Sequence, residues 1–543
     1  MGKKTLTIIA VLLTCSLAPG GQPGLAQTDA GGGDLPWWND RVFYEIFVRS
    51  FHDSDGDGIG DLQGVIEKLD YLNDGDPATT DDLGVTGIWL MPVAESPSYH
   101  GYDVADYRQV ESDYGTNEDF RQLVEAAHAR GIAVITDLVM NHTSSQHPWF
   151  IASRAGDPQY RHWYIWAQEN PGYAGPFGQP AWHAANGQYY YGVFWSEMPD
   201  LNFNLPPVTD EMYDIARFWL EDMGVDGFRL DAVRYLIEEG RVQADTRATI
   251  NWLTRFDDHI DAINPDALTV GEILTSSLAV ARYVEAGAVD IGFEFDLAGA
   301  ILSSAGAGDR LRLMRGQAQA LRLFPTGQYA AFLTNHDQAR VMTSLVGNAG
   351  AARVAAALLL TNPGVPFIYY GEEIGMTGSK PDECIRTPMQ WDDAPPVAAF
   401  TAGTPCATLP AESYANANVA AQTGDPDSLL SHYRALIRLR AEHPALRRGD
   451  FLFVDSENTA LYSFGKHTDE ETLLVLVNLS DAPVTGYALS LAEGPLEGAV
   501  RATLLMGAGD IAAPEVNAAG GFDAYTPLEE LPPRSTTVIL LGE

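Results

Sequence analysis

Between residue 37 and about residue 441, short apolar runs alternate with stretches whose apolar positions recur at helical spacing. Residues 42–48 (Val-Phe-Tyr-Glu-Ile-Phe-Val) make a β-branched and aromatic run of strand length, and 65–72 follow with amphipathic helical periodicity. Further strands are predicted at 85–93, 132–139, 224–230, 268–271, 289–295, 329–333 and 365–370, with helical patterns such as 120–130, 212–223 and 351–360 between them. The helix over 120–130 ends at Gly131, a good C-cap. Apolar runs of this length, bounded by glycine or turn residues, are what buried parallel strands look like. Eight of them joined by helical crossovers predict an α/β fold of the closed (β/α)8 barrel type. No glycine-rich dinucleotide fingerprint follows the first strand, which disfavours an open doubly wound sheet.

Two stretches depart from this rhythm. Between His142 and about Thr209 lies a long aromatic, Gly/Pro-rich connection containing Trp149, Trp163, Trp166, Trp182 and Trp195. A connection that long is usually an inserted subdomain or a functional lid. After the helical pattern at 429–441 come short strands, such as 472–478 and 535–541, with turn residues between them. They predict a small antiparallel β domain. The expected division is a barrel over 37–142 and 210–445, an insertion over 143–209 and a β domain over 446–543.

Composition narrows the partners. At 543 residues the chain is too long for one compact core, and 46% apolar with 10% aromatic residues is ample to bury two or three. The formal charge is −40, and lysine is confined to Lys3, Lys4, Lys68, Lys380 and Lys466. Such a surface repels phosphate backbones, which argues against nucleic acid and anionic lipid. It reads as a solvated acidic exterior compatible with a neutral substrate, and a monomer is expected. Lys3-Lys4, an apolar stretch over 6–17 and Gly24-Leu25-Ala26 predict a signal peptide over 1–26, followed by a flexible leader over 27–36. Export to a secreted or periplasmic location is the first reading, and a lipid anchor through Cys15 the second. No later segment is long and apolar enough to predict a transmembrane span. Cys384 and Cys406 remain in the mature chain and could close one loop as a disulfide.

Chemistry concentrates in three acids. Asp231, Glu272 and Asp337 each stand where an apolar run stops and a polar loop begins. Carboxylates at the C-terminal ends of different strands are how a β/α barrel builds an active site. Two carboxylates facing one another across a sugar are the machinery for cleaving glycosidic bonds. A carbohydrate-active enzyme is therefore expected.

The surrounding motifs carry a family resemblance. Asp137-Leu-Val-Met-Asn-His142, Gly227-Phe-Arg-Leu-Asp231, Gly271-Glu272 and Thr334-Asn-His-Asp337 resemble, in order and spacing, the four signature regions of the alpha-amylase family of glycoside hydrolases. Met198-Pro-Asp-Leu-Asn202 matches a fifth. The resemblance implies a catalytic barrel, an inserted domain B after the third strand and a C-terminal β-sandwich. It implies that Asp231 is the nucleophile, Glu272 the general acid and base, and Asp337 the residue that grips the distorted sugar. Arg229 would keep the nucleophile ionised, and His142 and His336 would donate hydrogen bonds to the sugar. Tyr102 and Asp103 would hold the same ring, with Arg386 reaching the same subsite. The tryptophans of the insertion then have two readings, a small core for most of them or platforms on which sugars stack.

A second motif is Asp53-Ser-Asp-Gly-Asp-Gly-Ile-Gly-Asp61. Asp at positions one, three and five, Gly at six and a carbonyl at seven suit a calcium loop, although Gly64 replaces the bidentate Glu of an EF-hand. It resembles the structural calcium loop of the oligo-1,6-glucosidase branch, which implies Asp53, Asp55, Asp57, the Ile59 carbonyl and Asp61 as ligands of a structural Ca2+. By analogy with true amylases, Asn141, Asp200 and the Tyr235 carbonyl would form a second site.

The subfamily signals are mixed. Arg386-Thr-Pro-Met-Gln-Trp391 resembles oligo-1,6-glucosidases and trehalose synthases, whereas Met198-Pro-Asp-Leu-Asn202 with Asn73-Asp-Gly-Asp-Pro77 resembles an intermediary group with secreted amylases. Ala232, where alpha-1,6-specific members typically carry Val, leans towards alpha-1,4 linkages. The expectation is an alpha-amylase-type hydrolase of starch and maltooligosaccharides. The alternatives are an exo-acting alpha-glucosidase or oligo-1,6-glucosidase, a glucosyl-transferring relative, and a non-catalytic glycan-binding or transporter-associated homologue.

Overall fold

Eight parallel strands form the barrel: β1 (Phe43–Ile46), β2 (Gly87–Leu90), β3 (Ala133–Leu138), β4 (Gly227–Leu230), β5 (Leu268–Gly271), β6 (Ile291–Gly292), β7 (Ala330–Phe332) and β8 (Val365–Tyr369). This computed structural model describes residues 35–394, 398–401 and 415–542. The signal segment, Cys15 and Cys406 lie outside the described residues, as does most of the leader. Strands pair in the order 6-5-4-3-2-1-8-7, and a single parallel bridge between Phe293 and Ala330 closes the ring.

The barrel interior is filled by large side chains from nearly every strand, including Phe43, Trp89, Ile135, Val270, Phe293, Phe332 and Phe367. Phe43 and Phe367 stack at 4.7 Å. One glycine makes the close approach possible. Gly227 has φ 153°, and a Cβ there would lie 2.1 Å from the Leu268 carbonyl oxygen. Helices cover the outside because their apolar stripe faces the strands. The helix Asn117–His128 buries Phe120, Leu123, Val124 and Ala127, and a capping box of Thr116 and Asp119 starts it.

Several boundaries differ from the sequence reading. The pattern over 65–72 splits into Leu62–Glu67 and Leu69–Leu72 at Lys68, whose backbone leaves the helical region. The run over 289–295 contributes only a two-residue strand, Ile291–Gly292, and the Phe293 bridge to the barrel. Its remainder starts the next helix, Phe295–Ala307, which Glu294 caps through the Leu297 amide. In the other direction, the helix expected from 212 begins at Pro206 and continues through a π-helical turn, Phe218–Asp222.

The insertion folds as a short helix, Pro148–Ala155, against a three-stranded antiparallel sheet of Trp166–Ala167, Gln188–Tyr191 and Trp182–Ala185. Most of its tryptophans make a small core. Trp149 packs on Trp163 at 4.7 Å, Trp166 stacks on Phe150, and Trp182 meets Tyr191. Trp195 does not join them and is 51% exposed. Beyond the barrel, β9 (Asp450–Phe453), β10 (Leu461–His467), β11 (Thr472–Asn478), β12 (Arg501–Met506) and β13 (Thr536–Gly542) form an antiparallel sheet in the order 9-10-11-13-12. Leu461, Leu474, Leu476 and Ile539 share one apolar cluster with Leu489, Leu491 and Phe522 of a smaller three-stranded sheet, as in a β-sandwich. Among the described residues no helix is long and apolar enough to cross a membrane.

Candidate active site

Strand register assembles the first part of the site. Arg229 on β4 lies opposite Asp137 on β3, and Leu230 lies opposite Gly271 on β5. Asp231 and Glu272 are the next residues of those two strands, so both emerge at the same level of the barrel's carboxyl end. Side chains alternate along a strand, so Arg229 and Asp231 share a face. The guanidinium of Arg229 is buried and places Nη1 2.7 Å from Asp137 Oδ1 and 2.8 Å from Asp231 Oδ1. Its Nη2 lies 3.1 Å from Glu272 Oε2. Trp89 supports it from below, with the guanidinium 5.2 Å from the ring centre.

The backbone turns sharply after Asp231. Ala232 has φ 47°, a left-handed conformation that is unfavourable for a residue with a Cβ. That turn aims its amide at Glu272, donating to Oε2 at 2.9 Å. Local strain of this kind clusters at functional sites.

Across the mouth, Asp337 follows β7. Arg386 holds its Oδ1 at 2.8 Å and donates from Nε to the His336 carbonyl at 2.9 Å. His336 faces Glu45 with Nδ1 and the Tyr102 hydroxyl with Nε2, the latter at 2.7 Å. The Tyr102 ring stacks on His336 with centroids 5.5 Å apart, and its hydroxyl reaches Asp137 at 3.2 Å. Asp103 is buried and accepts from Ser96 Oγ at 2.9 Å and from Ser98 Oγ. His142 donates from Nε2 to the Tyr102 carbonyl at 3.0 Å, with Nδ1 towards the Asn141 amide. Both of its ring nitrogens are thus engaged by the chain itself.

Three carboxyl groups share one guanidinium in this pocket. Burial pushes Asp231 up to about 8, with Arg229 opposing and Glu272 and Asp137 adding to the rise. Asp137 is raised for the same reason, burial outweighing Arg229. Asp337 behaves oppositely, because His336 and Arg386 overcome its burial and hold it down to about 2. Burial disfavours charge on His336, but Asp337 and Glu45 outweigh it and raise its pKa. Burial lowers His142 to about 4, so its imidazole is neutral.

The expected catalytic and sugar-binding residues therefore gather at one end of the barrel. Sequence reasoning did not single out Glu45, Trp89, Ser96, Ser98 or Tyr99 (its hydroxyl 3.5 Å from Arg386 Nη1), and it quoted Asp137 only within a motif. Glu45 and Asp137 carried a usable signal, since each is a charge inside an apolar strand and buried charges are nearly always paired.

Comparison with known proteins decides the family. A model of the alpha amylase catalytic domain matches residues 45–449. The chain belongs to the alpha-amylase family of glycoside hydrolases. This alpha-amylase family protein is 39% identical to Alpha-amylase 3 of Dictyoglomus thermophilum over 88% of its own length and 90% of the relative's. It is 34% identical to an oligo-1,6-glucosidase of Parageobacillus thermoglucosidasius, covering 82% and 91% of the two chains. The crystal structure of an alpha-amylase from H. orenii matches with a TM-score of 0.80 at 42% identity, over 93% of this chain and 99% of that one. Other relatives are named as trehalose-6-phosphate hydrolases and a trehalose synthase/amylase, so the family spans several reactions.

The acidic loop of this family member lies apart from these carboxylates, after β1. Asp53, Asp55 and Asp61 bring ligand oxygens within 4.8 Å of one another and could hold a metal ion. Asp57 stands outside that group and accepts from the Ile59 amide at 2.8 Å. Three carboxylates so close repel one another unless a cation lies between them, and an all-oxygen set suits a hard ion. At the second location, Asn141 Oδ1 and one oxygen of Asp200 are buried without a hydrogen-bond donor. Burial and then Glu238 push Asp200 well above the usual carboxylate range. Orphaned acceptors of this kind also fit a cation. Cys384 is an exposed free thiol.

Proposed function

We propose that this protein is an exported retaining hydrolase of α-glucosidic bonds, and that the shared grip of Arg229 on Asp231 and Glu272 is the observation that carries the reading. Asp231 Oδ1 is tied to Arg229, which leaves Oδ2 to attack the anomeric carbon. Glu272 Oε2 accepts from both Arg229 and the Ala232 amide, so the transferable proton sits on Oε1. That proton goes to the leaving oxygen as the glucosyl–Asp231 ester forms. Glu272, now ionised, takes a proton from water, and the resulting hydroxide opens the ester with the original anomeric configuration. Asp337, kept ionised by His336 and Arg386, accepts sugar hydroxyl hydrogen bonds that strengthen as the ring flattens.

Two substrate readings follow. Cleavage of α-1,4 bonds in starch and maltooligosaccharides is supported by the small Ala232 behind the nucleophile and by the relatives named as amylases. Action on short oligosaccharides, as an exo-acting α-glucosidase, oligo-1,6-glucosidase or glucosyl-transferring enzyme, is supported by the wider run of relatives named for such reactions. The comparisons lean to the second. Both take α-linked glucose units without a charged group. Calcium is proposed for the loop of Asp53, Asp55 and Asp61 as a structural ion.

Products released from starch, maltotriose, isomaltose and an end-blocked maltooligosaccharide separate the two. Cleavage of the blocked substrate requires internal action, whereas glucose released only from free ends establishes the short-chain reading. Asp231→Asn is expected to lower turnover on the order of 10⁴-fold. Full activity in that variant would sink the mechanism.

A further inference from the structure

Glu45 is the one charged residue of β1, and the proposed chemistry gives it no task. Alternation along the strand puts it on the inward face with Phe43, one layer nearer the carboxyl end. There it lies opposite Trp89 on β2 and Tyr369 on β8. A carboxyl buried among aromatic rings needs a partner, and Glu45 meets His336 Nδ1, on a ring that is buried as well.

The neighbouring hydrogen bonds fix where the protons lie. The Tyr102 hydroxyl donates its single proton to Asp137 Oδ2 at 3.2 Å, so towards His336 it accepts, and Nε2 carries hydrogen. Nδ1 faces the Glu45 carboxylate, a second acceptor. With a proton on each nitrogen the ring is an imidazolium, and its Nε2 also lies 3.5 Å from Asp337 Oδ2. The other titratable and charged groups around the pair are Asp137 on β3, Tyr369 on β8, and Glu372 and Arg386 beyond β8. Burial and Arg386 oppose the charge on His336, and Asp337 and Glu45 favour it. Against the burial of Asp337, His336 contributes more than Arg386 to keeping that carboxyl ionised.

Resting on the proposed hydrolysis, we propose that Glu45 is a positioning residue of the sugar clamp. By accepting the Nδ1 proton it keeps His336 an imidazolium at neutral pH. That charge holds Asp337 ionised, and the protonated Nε2 keeps the Tyr102 hydroxyl turned to Asp137. Glu45 thereby ties the clamp to the carboxylates across the barrel without touching the sugar.

Glu45→Gln tests this, because the amide can still bond Nδ1 but brings no charge. α-Glucosyl fluoride is the substrate, since fluoride departs without a proton from Glu272 and the rate then reports the nucleophile and the clamp. At pH 7 kcat is expected to fall about tenfold with KM little changed, as a charge-assisted bond gives way to a neutral one. The deficit is expected to shrink as the pH is lowered to 5, where His336 takes its proton from solvent and regains the charge. No loss at pH 7, or an equal loss at every pH, would overturn the proposal, the latter in favour of a packing role. Nitrogen-15 spectra of histidine-labelled protein read the ring directly, the His336 signal being identified by its disappearance in His336→Gln. At pH 7 both ring nitrogens are expected to be protonated in the unaltered chain and one in Glu45→Gln. A neutral His336 in the unaltered chain would overturn the proposal even should the variant not fold. An unaltered chain inert towards α-glucosyl fluoride would sink the proposed hydrolysis, and the nitrogen signals would then decide the role of Glu45 by themselves.

Discussion

At the residue scale, the sharing of Arg229 by Asp137, Asp231 and Glu272 governs the response to pH. The cluster has more negative charge than one guanidinium offsets, so it retains a proton through neutral pH, and the protons belong to the group rather than to one carboxyl. Deprotonation of this cluster is expected to produce an alkaline limb in kcat/KM near 8, the value to which Asp231 is raised. Asp137→Asn removes a neighbouring negative charge, which makes the remaining carboxyls more acidic. Its alkaline limb is expected about one pH unit lower, and a shift upward would refute the shared-proton account. Ala232 offers a separate check, because its positive φ costs a residue with a Cβ roughly 1 kcal/mol. Ala232→Gly is expected to raise unfolding free energy in urea by up to about that amount, with the backbone donor to Glu272 kept in place. The three principal acids were legible in the sequence because each ends an apolar run. Glu45, a lone charge inside such a run, signalled only that it needs a partner; that partner, His336, lies 291 positions along the chain, a pairing that only the closed barrel creates.

Among the elements, the acidic loop is joined to the sugar-binding side by a short chain of contacts. Asp53 donates from its amide to the Phe400 carbonyl at 3.0 Å and accepts from Thr401, while Ser50 donates to the Arg386 carbonyl at 2.7 Å. A cation bound among these carboxylates fixes both segments. Calcium at about 100 times its dissociation constant is expected to stabilise the fold by roughly 2.7 kcal/mol, and Asp53→Asn to erase the increment in a thermal melt with and without chelator. An identical calcium response in the variant would remove Asp53 from the ligand set. The loop was legible because its aspartates alternate over a few residues; its tie to residues 400 and 401 was not, because no periodicity links positions so far apart. The same limit explains β6. An apolar run over 289–295 reads as one strand, but Glu294 caps a helix in its midst, and a capping side chain outweighs the continuity of apolar residues.

For the whole molecule, a charge of −40 makes the folded surface repel itself. Raising KCl from 0.01 to 1 M shortens the screening length from about 30 to about 3 Å, so the melting temperature is expected to climb over that range. A falling melting temperature would mean that attractive surface ion pairs outweigh the repulsion. The barrel has one more global property, which follows from its closure by the Phe293–Ala330 bridge beside a two-residue β6. Seven of its eight junctions are ladders and the eighth is a clasp. Glu272 stands on one side of that clasp and Asp337 on the other. Breathing of the ring concentrates there, so amide exchange should be fastest along β6 and β7. The spacing between the proton donor and the sugar clamp then becomes the dimension that warming loosens first.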